Sequence, residues 1–300
     1  MGFKKSSGIA LIQVLMVSAV FAVLVLSYSH KSRQALSLAE QALARTQGML
    51  ALQSAESMVL LGLLTAESNA NVSEGQFNRY NEPFTLVFNP ASSDIIGQQD
   101  VQAQVQDLAG LFVLAPFGSE KLPELLQQLG YEKNLAKTIA LSMDDWQDSD
   151  NIPRAGGAEQ SAYSKQITVR NAPFQTESEL AYVKGMAGNI PEKLQHVTTF
   201  YSSGHLNLMT APIEVLALYA SDNSSLSDVY KKRKAHQLTP SELIRLTGVE
   251  TNDTILTNPG KGSRITLIYN KAPHNLSLQK EFIVSPYEQI PVTLWSAKRK

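Results

Sequence analysis

Carboxylates crowd one stretch of this chain, DDWQDSDNIPRAGGAEQSAY, Asp144 to Tyr163. It holds Asp144, Asp145, Asp148, Asp150 and Glu159 around two glycines and a proline. Several like charges in one loop repel unless solvent or a cation screens them. Calcium accepts such a set, because it takes several hard oxygen ligands in flexible geometry. The twelve-residue calcium loop is not matched. Counted from Asp148, the third position is Asp150, but the fifth is Ile152 and the sixth is Pro153 instead of glycine; counted from Asp144, the third is Trp146. The residues by themselves leave calcium, a solvated acidic loop and a set of helix caps all open. Trp146 and Tyr163 flank the segment, and the plainer reading is that they close a core beneath it.

Other chemistries find less support. A carboxylate pair suits glycoside hydrolysis, but these carboxylates are close in sequence and no substrate cleft can be argued. The histidines, His30, His196, His205, His236 and His274, have no metal-ligand spacing. There is no cysteine, which excludes a disulfide scaffold, a thiol nucleophile and a thiolate metal site. Nor is there a G-x-S-x-G elbow or a phosphate-binding loop. With 26 basic against 27 acidic residues the chain is no global nucleic-acid binder. The block LNLMTAPIEVLAL, from Leu206, has the flavour of a DNA-binding helix pair, but Thr210-Ala211-Pro212 supplies no glycine, and Pro212 has no N–H for a phosphate. Its apolar residues read as packing. The nearby KKRKAH, Lys231 to His236, reads as a solvated face or the rim of a partner site.

The elements that would position these residues begin with a membrane-length run. Ile9 to Leu26 carries no charge and one strongly polar side chain, Gln13. As a helix it spans about 27 Å, near the lower limit for a bilayer. Lys4 and Lys5 precede it; Tyr28, His30, Lys31 and Arg33 follow as interface anchors. A cleavable signal peptide would want a shorter apolar centre and small residues where Tyr28 to Lys31 stand. Lys31 to Leu64 continues without proline, with Gly48 and Gly62 as weak points, and its apolar positions recur at helical spacing. The result is a stalk.

Residues 65–83 read as a loop, and FTLVFN, Phe84 to Asn89, as a short strand. Val101, Ala103 and Val105 alternate as a half-buried strand. Asp107 to Gly110 can turn and Leu111 to Leu114 can return, which predicts a hairpin on the stalk. From Glu120 the pattern becomes helical, with Pro123 early in a first helix and a second ending near the acidic loop. Thr176 or Ser178 can cap a short helix over Glu177 to Val183, and Thr210 one containing Pro212. A further helix covers Pro240 to Leu246. From Arg264 three strand-like runs read as a meander.

The leader and three internal blocks resemble a known family. A short basic leader ending in Gly8, then Ile9, then an apolar helix that turns amphipathic, resembles type IV pilin-like proteins. The blocks at Asp144–Tyr163 (Trp146, Asp148, Asp150, Gly157, Ala158, Glu159, Tyr163), Asn171–Met186 and Leu206–Tyr219 resemble the K-type minor pseudopilins of type II secretion, with Met209 where that family usually has asparagine. The resemblance implies an α+β pilin-like fold: a leader (1–8), a transmembrane and stalk helix (9–64), a first part of the head (65–118), an inserted helical domain (119–247) and C-terminal strands completing an antiparallel sheet (248–300). It implies a non-enzymatic, single-pass inner-membrane protein with its head in the periplasm, placed at the tip of a pseudopilus that helps export folded proteins. The implied partners are I-type and J-type minor pseudopilins, the major pseudopilin, the prepilin peptidase and the inner-membrane secretion platform, with no nucleic acid. It also implies calcium in the acidic loop, with Asp148, Asp150 and Glu159 as the matched carboxylates. Pilin-like chains usually carry glutamate at the fifth mature position, where it meets the N-terminal amine of the subunit above. Gln13 stands there, as suits a subunit with none above it. A minor pilin of a surface pilus acting in adhesion shares the leader and stalk and is the alternative.

The leader pattern predicts cleavage after Gly8. Intact-mass analysis of the membrane-extracted protein should find Ile9 first and methylated. A chain that keeps Met1, or that starts near His30, excludes this processing.

Overall fold

The computed structural model describes residues 7–65, 78–86, 101–114, 119–271 and 274–299. Met1 to Ser6 of the leader, most of the 65–83 loop and the end of FTLVFN lie outside the described residues.

Helix α1, Ser7–Thr65, is continuous over 59 residues, about 88 Å at 1.5 Å per residue. No proline interrupts it. Its two halves meet different surroundings. No residue from Leu11 to Gln47 is buried by the chain, although the side chains include a long apolar run. From Gly48 onward one face is covered: Gly48, Ala51, Leu52, Ala55, Val59 and Leu63 are buried at steps of one, three and four, the spacing of one helical face.

That face lies on a five-stranded sheet. Strands β1 (Phe84–Leu86) and β2 (Val101–Asp107) precede a long helical segment. After it come β7 (Gly262–Lys271), β8 (His274–Val284) and β9 (Val292–Arg299), and the spatial order is β1-β2-β7-β8-β9, antiparallel throughout. Val101, Ala103 and Val105 point inward as their alternation predicts, against α1 together with Ile265, Leu267 and Tyr269. The C-terminal meander forms as expected. Gly48 is where helix and sheet come closest: a Cβ there would stand 2.8 Å from Leu276 Cδ1 and from Tyr269 Cε1. The glycine marks the crossing of helix and sheet. Eight residues on, Glu56 accepts from Lys280 Nζ at 2.7 and 2.8 Å, pinning α1 to β8.

The expected hairpin from 101–105 into 111–114 does not form. The long edge of β2 is taken instead by β7, in register from Val101↔Tyr269 to Asp107↔Ser263. Asp107 redirects the chain. Its Oδ1 accepts from Ala109 N–H at 3.0 Å, which starts a buried 3-10 turn over Leu108–Gly110. The following strand, β3 (Phe112–Val113), pairs in parallel with β4 (Thr198–Thr199), far along the chain.

Between β2 and β7 lie helices α2 (Leu122–Gln128), α3 (Lys133–Gln147), α4 (Ile190–Val197), α5 (Ile213–Leu216), α6 (Leu226–Lys234) and α7 (Pro240–Thr247). They surround two cores of their own, one around Leu125, Ile139 and Trp146, the other around Leu208, Val229 and Leu243. Strands β5 (Leu206–Asn207) and β6 (Ile255–Leu256) pair in parallel, so residues after α7 still run with the helical segment before the sheet resumes at Gly262. The Glu177 helix is a 3-10 turn, Glu177–Tyr182. At its start Glu179 accepts from the N–H of Gln175 and Thr176. Thr210 does not cap α5. Its hydroxyl donates to Asp107 Oδ2 at 3.0 Å.

Two buried charges tie the helical segment to the sheet. Asp107 also accepts from Asn207 Nδ2 at 2.7 Å and from Gly260 N–H at 3.1 Å. Arg264, opposite Glu281 across β7 and β8, bonds it at 2.7 Å and donates to the carbonyls of Gln195 and Thr198. Burial pushes the Asp107 carboxyl above the ordinary carboxylate range, and its hydrogen bonds with Asn207, Ala109, Thr210 and Gly260 oppose that shift.

A raised folded pKa means that stability from this group is full below the unfolded value and is lost as pH rises through the folded one. D107N should remove that slope. It should also cost roughly 1–3 kcal/mol at neutral pH, by turning an amide N–H₂ toward existing donors. Denaturation of the full-length protein in detergent, across acid to neutral pH, checks both.

Candidate cation site

The acidic loop hangs from the end of α3. Glu132 starts that helix by accepting from the N–H of Asn134 and Leu135. Ala136, Ile139, Ala140, Met143 and Trp146 turn one face into the core. Trp146 stacks on Phe174 (centroids 6.3 Å, 10°) and meets Tyr163 edge-on (5.5 Å, 77°). The two aromatics therefore close the core under the loop, and the Tyr163 hydroxyl accepts from Lys184 N–H. Asp148 ends the helix, its N–H donating to Asp144 C=O at 3.0 Å.

Asp145 and Asp148 are three residues apart, hence neighbours on one side of the last turn. The chain then loops out and returns at Glu159. Each of these three acids offers a carboxylate oxygen within 4.8 Å of the others, and all three are buried. Asp150 is not part of the group. It is exposed on the loop, where its Oδ1 accepts from Ile152 N–H at 2.7 Å. Of the three carboxylates matched by resemblance, the structure brings together Asp148 and Glu159, and adds Asp145. Helical spacing from Asp148 was the signal that could have found it.

Gly157 makes room for this arrangement: a Cβ there would lie 2.0 Å from Asp145 Oδ2. The backbone N–H of Arg154 donates to both Asp145 oxygens at 3.2 Å, and its guanidinium Nη1 bonds Asp145 Oδ1 at 2.7 Å and also Asp148 Oδ2. These carboxylates hold the Arg154 pKa above its ordinary value. Sequence reasoning did not single out Arg154. Even so, negative charge is left over. Both oxygens of Glu159 and Oδ1 of Asp148 are buried with no hydrogen-bond partner. Burial first, and then Asp148, Asp145 and Asp150, push the Glu159 carboxyl above the ordinary range. Orphaned hard oxygens beside two more carboxylates fit a divalent cation, which this triad is able to coordinate.

The remaining sequence candidates lie elsewhere. Gly8 and Ile9 fall within the first turns of α1, and Gln13 is exposed further along it. Not all of the basic run is solvated. Arg233 turns inward and donates to the carbonyls of Leu208 and Ala211 at 2.7 and 2.6 Å, and burial holds its pKa down to about 10.

Three comparisons bear on this fold and site. The family model for type II secretion system protein K matches residues 104–203, a span that contains Asp107, the acidic triad and Arg154. Type II secretion system protein K of Pectobacterium carotovorum subsp. carotovorum is 24% identical over 237 residues, covering 75% of this chain and 71% of that protein. A chain of the crystal structure of the GspK-GspI-GspJ complex from the enterotoxigenic Escherichia coli type 2 secretion system superposes with a TM-score of 0.57 at 15% identity, covering 87% of this chain and 98% of that one. Over residues 104–203, about a third of its length, the chain is therefore similar to the type II secretion protein K family, and its overall fold is that of the similar solved chain. Among the described residues α1 is the one helix long and apolar enough to cross a membrane, which is consistent with a single-pass anchor in its exposed half.

Replacing Glu159 by glutamine should raise the metal-free melting temperature, since a buried carboxylate without a partner costs roughly 1–3 kcal/mol or more. The same change should remove most of the stabilisation that added divalent ion gives the wild type. Thermal melts in chelator and in millimolar calcium read both effects.

Proposed function

We propose that this protein is the tip subunit of a type II secretion pseudopilus, with its head in the periplasm, where it helps drive folded proteins across the outer membrane. The observation that carries this reading is the position of the helical segment. Gly48 of α1 contacts Leu276 and Tyr269, and Glu56, further from the anchor, contacts Lys280. Along β8, rising residue number therefore leads away from the membrane. Antiparallel pairing sets Gly262 of β7 and Asp107 of β2 at the membrane-distal end. The helical segment leaves and rejoins the sheet there. Its bulk would obstruct a further subunit stacked above, which agrees with a capping role.

The rest of the molecule suits assembly from below. Leu36, Leu43, Leu50 and Leu61 lie along α1 beyond the anchor and are exposed in the isolated chain. Such a stripe is able to pack against neighbouring stalk helices. We take the partners to be I-type and J-type minor pseudopilins, since the similar solved chain comes from a GspK-GspI-GspJ complex. The major pseudopilin, the prepilin peptidase acting after Gly8 and the inner-membrane platform complete the set. Calcium is the cation we assign to Asp145, Asp148 and Glu159, as a hard ion suited to carboxylate and carbonyl oxygen.

Gln13 needs no amine from a subunit above. Q13L should therefore keep membrane insertion, processing and most secretion. A39E puts an unpaired carboxylate on an exposed stalk face that the assembly would bury. It should abolish co-purification with the minor pseudopilins and reduce exoprotein secretion at least several-fold. Both variants are compared at matched protein levels. Loss of secretion in Q13L with normal secretion in A39E contradicts the tip assignment.

A further inference from the structure

We propose that Arg154 is a built-in counter-cation that calcium must displace from Asp145 and Asp148, so that the loop exchanges one cation for another. The inference rests on the calcium reading above and concerns what this chain adds to it. The Arg154 guanidinium uses Asp145 Oδ1 and Asp148 Oδ2, one oxygen from each of two triad acids. Calcium requires many oxygens, and these two are spent on the arginine. Glu159 stays unpartnered, because one guanidinium cannot neutralise three carboxylates. The arginine therefore holds the site together without satisfying it.

Displacement is feasible from the same geometry. Arg154 is anchored by its backbone N–H to Asp145, while its side chain remains one-third exposed. It sits in a surface loop, with residues 149–153 and 155–156 exposed on either side. The side chain can leave for water while the loop backbone stays in place. A dication close to the guanidinium would repel it at the moment it claims the shared oxygens. Arg154 thus sets both the affinity of the site and the stability of the loop before the ion arrives.

The test uses the full-length protein in detergent, stripped with chelator and titrated with calcium chloride by calorimetry. R154Q should bind calcium at least tenfold more tightly than wild type and melt lower in chelator; R154K, with a compact single-point charge, should fall between them. An independent readout needs no variant. Phenylglyoxal modification of Arg154, followed by peptide mass spectrometry, should increase several-fold on adding calcium to the wild type. If wild type binds calcium but R154Q binds equally or more weakly, or Arg154 stays protected when calcium is bound, Arg154 is not the displaced cation. If neither wild type nor R154Q takes up calcium, the calcium assignment itself fails, and this proposal with it.

Discussion

The fold depends on a buried carboxylate at the end of β2. Asp107 gathers donors from Ala109, Asn207, Thr210 and Gly260, from three separate stretches of chain. Burying a charge is costly unless hydrogen bonds satisfy it. That cost makes the arrangement demanding, since losing any donor leaves the carboxylate short. The helical segment begins and ends at this acid: the chain turns out of the sheet at Leu108 and comes back past Gly260. Asn207 and Thr210 belong to a block that reads, in sequence, like packing or a phosphate grip. Their role is to hold Asp107.

Arg264 repeats the principle from the other side. It sits in the sheet, paired with Glu281, and extends its remaining donors to the end of α4. One acid and one arginine, both buried, thus join two bodies that each have their own apolar core. Apolar contact would join them without fixing an orientation, whereas directed hydrogen bonds specify it. For a subunit whose distal mass is proposed to close a fibre, a fixed angle between stalk and cap has a direct use. The Gly48 crossing and the Glu56–Lys280 pair give the stalk a similarly defined seat on the sheet.

The acidic loop solves the opposite problem. At Asp107 donors outnumber the charge; at Asp145, Asp148 and Glu159 the charges outnumber the donors. Arg154 meets part of the deficit, and the oxygens it leaves orphaned are where a hard cation gains most. The Trp146, Tyr163 and Phe174 rings pack together as the apolar floor beneath the loop, at the end of α3.

Local pattern made much of this legible. Apolar length and the lack of proline determine α1. Alternation determines which side of β2 faces inward, and composition marks the acidic loop, because each of these depends on neighbours a few residues apart. Long-range choices were not legible. β2 pairs with β7 and not with the residues that follow it, Thr210 reaches Asp107 and caps nothing, and Arg233 turns inward out of a basic run. Which carboxylates meet was also decided in three dimensions. Asp145, Asp148 and Asp150 look equivalent in sequence, yet the helix carries the first two inward and the loop leaves the third in water. Periodicity is encoded by adjacent residues, but pairing is set by which distant groups can satisfy a buried charge, and only the packed chain brings those groups within reach.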